Sequence, residues 1–240
     1  MVQFLTTIPI KLRLDVKEKD FGKGLIFAPL IGLLLGGILA GAYYGLQLIF
    51  PRYITSVMII ILYIVLTGGL HMDGLGDTFD GLFSNRSKER ILEIMRDSRV
   101  GTNGVLGIVS VLLLNTALID GINPSNLIFV ILLFPVAGRV GSLVGAGASK
   151  YARSGEGLGK SFIDYCGVKE ILWGLLISCI LFYGFAGIKG LESLIFVATS
   201  AYLLVKYFSS KIGGATGDVL GAVCEINQTI FLLVAFVLFR

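Results

Sequence analysis

Fourteen residues, GGLHMDGLGDTFDG at 68–81, carry the densest chemistry of the chain: Asp73, Asp77 and Asp80, beside the sole histidine, His71. On a helix the three aspartates stand at i, i+4 and i+7 and fall within an arc of about 60°. At about 6 Å and an effective dielectric of about 20, each like-charge pair costs ~3 kcal/mol. Protonation, basic partners or a divalent cation would relieve that repulsion. Hard oxygen ligands with no softer donor nearby suit Mg²⁺, which binds a few carboxylates together with substrate phosphates. Protonated carboxylates in a proton relay are the alternative. For His71, which has no His or Cys near it in sequence, a hydrogen bond to an aspartate or a carbonyl is expected rather than catalysis.

Three further stretches carry polar groups. In RSKERILEIMRDSRVGTNG at 86–104, Arg86, Arg90, Glu93 and Asp97 share one helical face, and Ile91, Leu92, Ile94 and Met95 occupy much of the other. That pattern predicts an interfacial amphipathic helix. Arg96 and Arg99, near Gly101 and Gly104, are expected to approach a phosphate, while Arg86 and Lys88 are expected to meet anionic lipid heads. KYARSGEGLGKSF at 150–162 brings Arg153 and Lys160 on a Gly-rich segment able to wrap an anion, but its Gly spacing is not that of a P-loop. GGATGDVLGAVCEINQ at 213–228 sets Asp218 and Glu225 seven residues apart on one helical face, with Gly213, Gly214, Gly217 and Gly221 allowing another helix to pack closely. An acid as deep in an apolar segment as Glu225 is a functional candidate.

The elements that must hold these groups are set by hydropathy. Charged residues make up 15% of the 240, against about 25% in soluble domains. With a mean hydropathy of +0.87, this predicts an all-α polytopic integral membrane bundle of one domain, residues 1–240. Seven spans are read at 25–49, 53–70, 104–119, 126–148, 170–188, 191–208 and 219–238, with the interfacial helix between the second and third. The apolar runs are continuous rather than alternating, which excludes barrel strands. Seventeen of the twenty Lys and Arg, Arg139 among them, are counted on one side of the seven spans, leaving Arg52, Lys189 and Arg240 on the other. The positive-inside rule then places the N-terminus and the polar loops in the cytoplasm and the C-terminus outside a plasma membrane. No cleavable signal peptide is expected. Cys166, Cys179 and Cys224 are far apart in sequence and read as isolated buried thiols, not as a zinc site or a disulfide framework. No nucleic-acid partner is expected, and the Gly-rich spans leave room for self-association.

Together these stretches resemble the adenosylcobinamide-GDP ribazoletransferase family, also called cobalamin (5′-phosphate) synthase. The resemblance is carried by FLTTIPI at 4–10, FAPLIGLLLG at 27–36, LHMDGLGDTFDGLF at 70–83, EIMRDSRVGTNGVLG at 93–107, ARSGEGLG at 152–159 and TGDVLGAVCE at 216–225, in the family's order. It implies a multipass membrane enzyme that uses Mg²⁺. The reaction would join adenosylcobinamide-GDP to α-ribazole, or its 5′-phosphate, giving adenosylcobalamin, or its 5′-phosphate, and GMP. On that reading Asp73, Asp77 and Asp80 surround the metal, and Asp80 or Asp97 is the general base. Arg96, Arg99, Arg153 and Lys160 clamp phosphate, and Asp218 and Glu225 orient substrate hydroxyls or complete a metal shell.

Two other functions compete with this reading. CDP-alcohol phosphotransferases carry DGxxAR followed by GxxxDxxxD; here Asp73–Gly74 begins correctly, but the Ala-Arg pair is missing and the later aspartates sit too close. A cation-coupled carrier would place its acids near midplane in paired halves, whereas this sequence gathers its polar groups on one side.

Overall fold

The computed structural model describes residues 1–11, 15–155 and 157–239. A short helix α1 (Val2–Leu5) is followed by α2 (Glu18–Gly24), which passes through a 3₁₀ turn at Leu25–Phe27 into α3 (Ala28–Leu46). Then come α4 (Arg52–Thr67), α5 (Leu70–Leu82), α6 (Lys88–Ile94), α7 (Thr102–Gly121), α8 (Pro124–Gly147), α9 (Leu158–Asp164), α10 (Val168–Ile212) and α11 (Gly217–Leu238). Among the described residues no strand forms beyond an isolated bridge between Tyr151 and Ala215. The protein is all-α, as its composition requires.

Five helical segments are long and apolar enough to cross a membrane, and α4 with α5, bent by 93°, makes a sixth. The 45-residue α10 supplies two. Its backbone leaves the helical region at Gly187, with φ 59° and ψ −143°. Gly167 and Ile171, at its start, lie against Gly147, while Lys206 Nζ, near its end, donates to the Ala148 carbonyl at 2.9 Å. A straight helix would separate those two regions by about 50 Å, so α10 is a hairpin folded at Gly187. Among the described residues the spans then number seven, and the third runs two residues further at each end than the sequence indicated.

α8 and α11 form the core, and α3, α5, α7 and α10 pack around them. The outward faces of α10 carry exposed Leu172, Leu176, Ile180, Ile195 and Leu203, as lipid-facing spans do. The bundle has two unlike ends. At one, Arg52 donates to the carbonyls of Ile119 and Ile122 and stands 3.9 Å from Asp120, Asn126 donates to the Phe239 carbonyl at 3.3 Å, and Lys189 sits 5.6 Å from the Phe239 ring centroid. Those contacts close the short connections. The other end bears α5, α6, α9 and the start of α11, with the acidic and Gly-rich stretches.

Two expectations change here. Arg139 does not belong with the loop charges. It lies inside α8 and is fully buried, because α8 is the central helix and its polar side chain meets α11 rather than water. The amphipathic helix is also shorter than its pattern implied: α6 stops at Ile94, so Arg86 precedes it and Asp97 follows it. Ile91 and Met95 anchor this segment by burial, and beyond them the chain turns toward the N-terminus of α7.

Candidate active site

The site begins with the break between α4 and α5. Gly68 and Gly69 both take positive φ, 62° and 70°, a region that glycine enters without steric cost. The turn lays α5 across the polar end of the bundle. The N-terminal segment closes the break: Thr7 N donates to the Leu66 carbonyl at 2.8 Å, and its hydroxyl donates to the Val65 carbonyl at 3.0 Å. Asp73, Asp77 and Asp80 all lie on α5, so the helical spacing expected of them is present.

α5 touches α11 backbone to backbone. A Cβ on Gly74 would stand 2.8 Å from the Asp218 carbonyl oxygen, and one on Gly221 would stand 3.1 Å from that of His71. These two glycines bring Asp218 beside the α5 aspartates. Asp218 accepts from Arg153 Nη2 at 2.9 Å and from the Thr216 hydroxyl at 3.1 Å. Arg153 also donates to the Met95 carbonyl at 3.4 Å, tying the Gly-rich stretch to the segment after α6. Backbone bonds from Ala152 N to Ala215 O and from Ala215 N to Lys150 O hold the same stretch against the start of α11.

These elements enclose a cavity of about 540 Å³. Asp73, Asp218, Arg96 and Arg153 face it on one side, with His71 and Gly74 of α5 between them. Arg153 Nε is buried without a hydrogen-bond partner, a donor that a ligand oxygen can satisfy. Among the described residues the carboxylates of Asp73 and Asp77 accept no hydrogen bond. Their donor set, all carboxylate oxygen, fits a hard cation.

Other expected site residues lie apart. Asp80 accepts from Gly101 N at 2.6 Å and Gly104 N at 2.8 Å, so it fastens the N-terminus of α7 to α5. Asp97 is exposed and held by Arg99, whose Nη2 lies 2.8 Å away and whose backbone N also donates to it. The hydrogen bonds from Arg99 hold its carboxyl down to about 2. Neither Asp97 nor Arg99 reaches the cavity wall, and Lys160, half-buried on α9, is likewise outside it.

Glu225 lies one helical stretch deeper than Asp218. It is 1% exposed and accepts from the Tyr63 hydroxyl at 2.7 Å, which in turn accepts from Gln228 Nε2 at 2.7 Å. Arg139 Nη1 donates to Cys224 Sγ at 3.1 Å. Ligand-type atoms of His71, Cys224 and Glu225 lie within 4.8 Å of one another. The sequence offered no sign of this grouping, because residues on α5 and α11 meet only once Gly74 and Gly221 let the helices touch. It also overturns the expectation for His71: its Nδ1 is buried with no partner, since the ring turns toward α11 and away from the aspartates.

The N-terminal Phe4 and Leu5, with Leu25, Leu158 and Phe162, also line the cavity. Sequence reasoning noticed FLTTIPI only as a matching stretch. An apolar segment set apart from the first span was the available signal that it packs on the protein.

The chain matches the family described as cobalamin-5-phosphate synthase over residues 1–236. It is 58% identical over its whole length to the adenosylcobinamide-GDP ribazoletransferase of Acetivibrio thermocellus, covering 96% of that protein. The protein of the same description from Clostridium acetobutylicum is 55% identical over 98% of this chain and 94% of its own length. The one from Caldanaerobacter subterraneus subsp. tengcongensis is 44% identical over 99% and 95%. No solved structure matches. Agreement of this degree over entire chains, in a bundle whose matching stretches converge on one cavity, places the chain in the cobalamin-5-phosphate synthase family.

Proposed function

We propose that this protein is an adenosylcobinamide-GDP ribazoletransferase, joining adenosylcobinamide-GDP to α-ribazole or its 5′-phosphate with release of GMP. The observation that carries this reading is the cavity wall on which Asp73 and Asp218 stand with Arg96 and Arg153. In the reaction a ribose hydroxyl of the ribazole attacks the phosphorus nearer cobinamide. A new P–O bond forms, the bridging pyrophosphate bond breaks, and GMP leaves with the electron pair.

Arg96 and Arg153 bind the phosphate oxygens and offset their charge. The Arg153–Asp218 bond fixes the guanidinium while leaving its Nε free for substrate. Asp73 and Asp77 would hold Mg²⁺, which supplies charge neutralisation at the phosphates when bound. Asp80 and Asp97 are engaged elsewhere, so the hydroxyl proton goes to a carboxylate on the cavity wall, Asp73 or Asp218. Asp80 keeps α7 docked, and Asp97 keeps Arg99 at the surface. Glu225 supports α11 from within the bundle.

The polar end faces the cytoplasm of a plasma membrane, with the C-terminus outside. The bias of Lys and Arg toward that end supports this orientation even without Arg139. The direct test supplies purified protein in detergent with both substrates and Mg²⁺. Stoichiometric release of GMP and a joined corrinoid is expected; no GMP with any divalent metal tested overturns the assignment.

A further inference from the structure

The cavity lining is of two chemistries. Its charged lining comes from α5, the start of α11 and the Arg-bearing segments; apolar lining comes from Phe4 and Leu5 of the N-terminus, Leu25, and Leu158 and Phe162 of α9, with Leu70 and Leu220 of α5 and α11. Within the apolar lining, the rings of Phe4 and Phe162 lie 5.1 Å apart, and Phe21 stands behind both, at 6.3 Å and 5.6 Å. Packing of the N-terminus onto α2 and α9 explains Phe21, which stays off the cavity. It leaves Phe4 half-buried and a small part of Phe162, itself 6% exposed, on the cavity lining beside the phosphate-binding groups.

Resting on the ribazoletransferase reading, we infer that Phe4 and Phe162 form the subsite for the flat base of the ribazole, and that the corrin ring stays outside the cavity. Size supports the first half: drug-sized ligands occupy pockets of about 300–1,000 Å³, and 540 Å³ accommodates a benzimidazole riboside. A corrinoid bearing a nucleoside diphosphate is several times larger, so it enters only by its pyrophosphate end. Polarity separates the two bases on offer. A dimethyl-substituted benzimidazole is apolar apart from one ring nitrogen once it carries ribose. Guanine presents a full hydrogen-bonding edge, which Phe4, Leu5, Leu25 and Phe162 would leave unsatisfied. Base-on-aromatic stacking places the ribose toward the charged lining, where its hydroxyl meets the pyrophosphate.

The test is steady-state kinetics on wild type, Phe4→Leu and Phe162→Leu, varying each substrate in turn. Removing one stacking ring is expected to raise the KM for α-ribazole by about 10–100-fold, with that for adenosylcobinamide-GDP within about two-fold. A rise in the corrinoid KM of equal size, or no change in the ribazole KM, overturns the inference. A measurement on the wild type alone guards against misfolded variants. Free dimethylbenzimidazole is expected to displace α-ribazole in equilibrium dialysis and to inhibit competitively against it alone; competition against the corrinoid, or no displacement, overturns the subsite. If the wild type releases no GMP yet binds ribazole displaceably, the reaction assignment fails while the base subsite stands.

Discussion

Two polar groupings share α5 and α11 and differ chiefly in their access to water. At the cavity, Asp73 is exposed, Asp218 is half-buried beside Arg153, which has one donor unused, and Asp77, half-buried one turn along α5, lies just off the lining. In the bundle core, Glu225 is buried with Tyr63, Gln228, Cys224 and Arg139. His71 and Asp73, two residues apart on α5, both line the cavity, and His71 also reaches Cys224 and Glu225 of the buried grouping. An acid open to water can exchange its partners, and its like-charged neighbours are tolerated because a ligand can resolve them. An acid sealed in the bundle must find its partners within the protein, and its role is to fix how the helices meet.

The strongest way to break this comparison is to neutralise each cluster. Asp73→Asn or Asp77→Asn should lower kcat by about 10³-fold, since each removes charge aimed at the reacting phosphates. The thermal midpoint in detergent should hold or rise, because like-charge repulsion is relieved. Near-normal turnover in both variants would remove them from the chemistry. Glu225→Leu should do the reverse. It leaves the buried Tyr63 hydroxyl without its acceptor and removes a nearby acid from buried Arg139, at a cost of about 1–3 kcal/mol, read as a drop in the midpoint. Restoration of the midpoint by adding Arg139→Met would sharpen the point.

A smaller effect is expected at the seam between the clusters. Gly74→Ala inserts a methyl 2.8 Å from the Asp218 carbonyl, and relief of such overpacking costs about 1–3 kcal/mol. Both stability and activity should fall, since the seam serves both regions; loss of neither would mean that α5 and α11 do not touch as described. The least effect belongs to Asp97. With its carboxyl held down to about 2, it is ionised across any ordinary assay. Its contribution to stability is present above the normal aspartate range and is lost only as pH falls toward 2. Asp97→Asn should therefore leave kcat within about threefold and the neutral pH profile unchanged; a fall in kcat of about a hundredfold or more would return Asp97 to the reaction.

Much of this was legible beforehand, for identifiable reasons. The seven spans, including the turn near Lys189 that α10 conceals, follow from hydropathy, which depends on each segment's own composition. The alignment of Asp73, Asp77 and Asp80 follows from helical geometry once α5 is a helix. Partner choice was not legible. Arg139 looked like a loop charge because a count of basic residues does not see which way a helix faces. That Asp80 also accepts from Gly101 and Gly104 at the N-terminus of α7 was not legible, because those donors lie 21 and 24 residues further along the chain. Arg99 and Lys160 were grouped with Arg96 and Arg153 by type, although only the latter pair reaches the cavity.

The sequence by itself therefore determined that this chain crosses a membrane repeatedly, that its acids and bases gather at one end, and that α5 presents one carboxylate face. Each of these rests on local composition and on the period of a single helix. Tertiary structure decided which acids face the cavity, that His71 turns from the aspartates toward Cys224 and Glu225, and that the N-terminal Phe4 walls the site. Those outcomes depend on where helix backbones approach, at Gly74 and Gly221 above all, and such contacts join residues far apart in the chain.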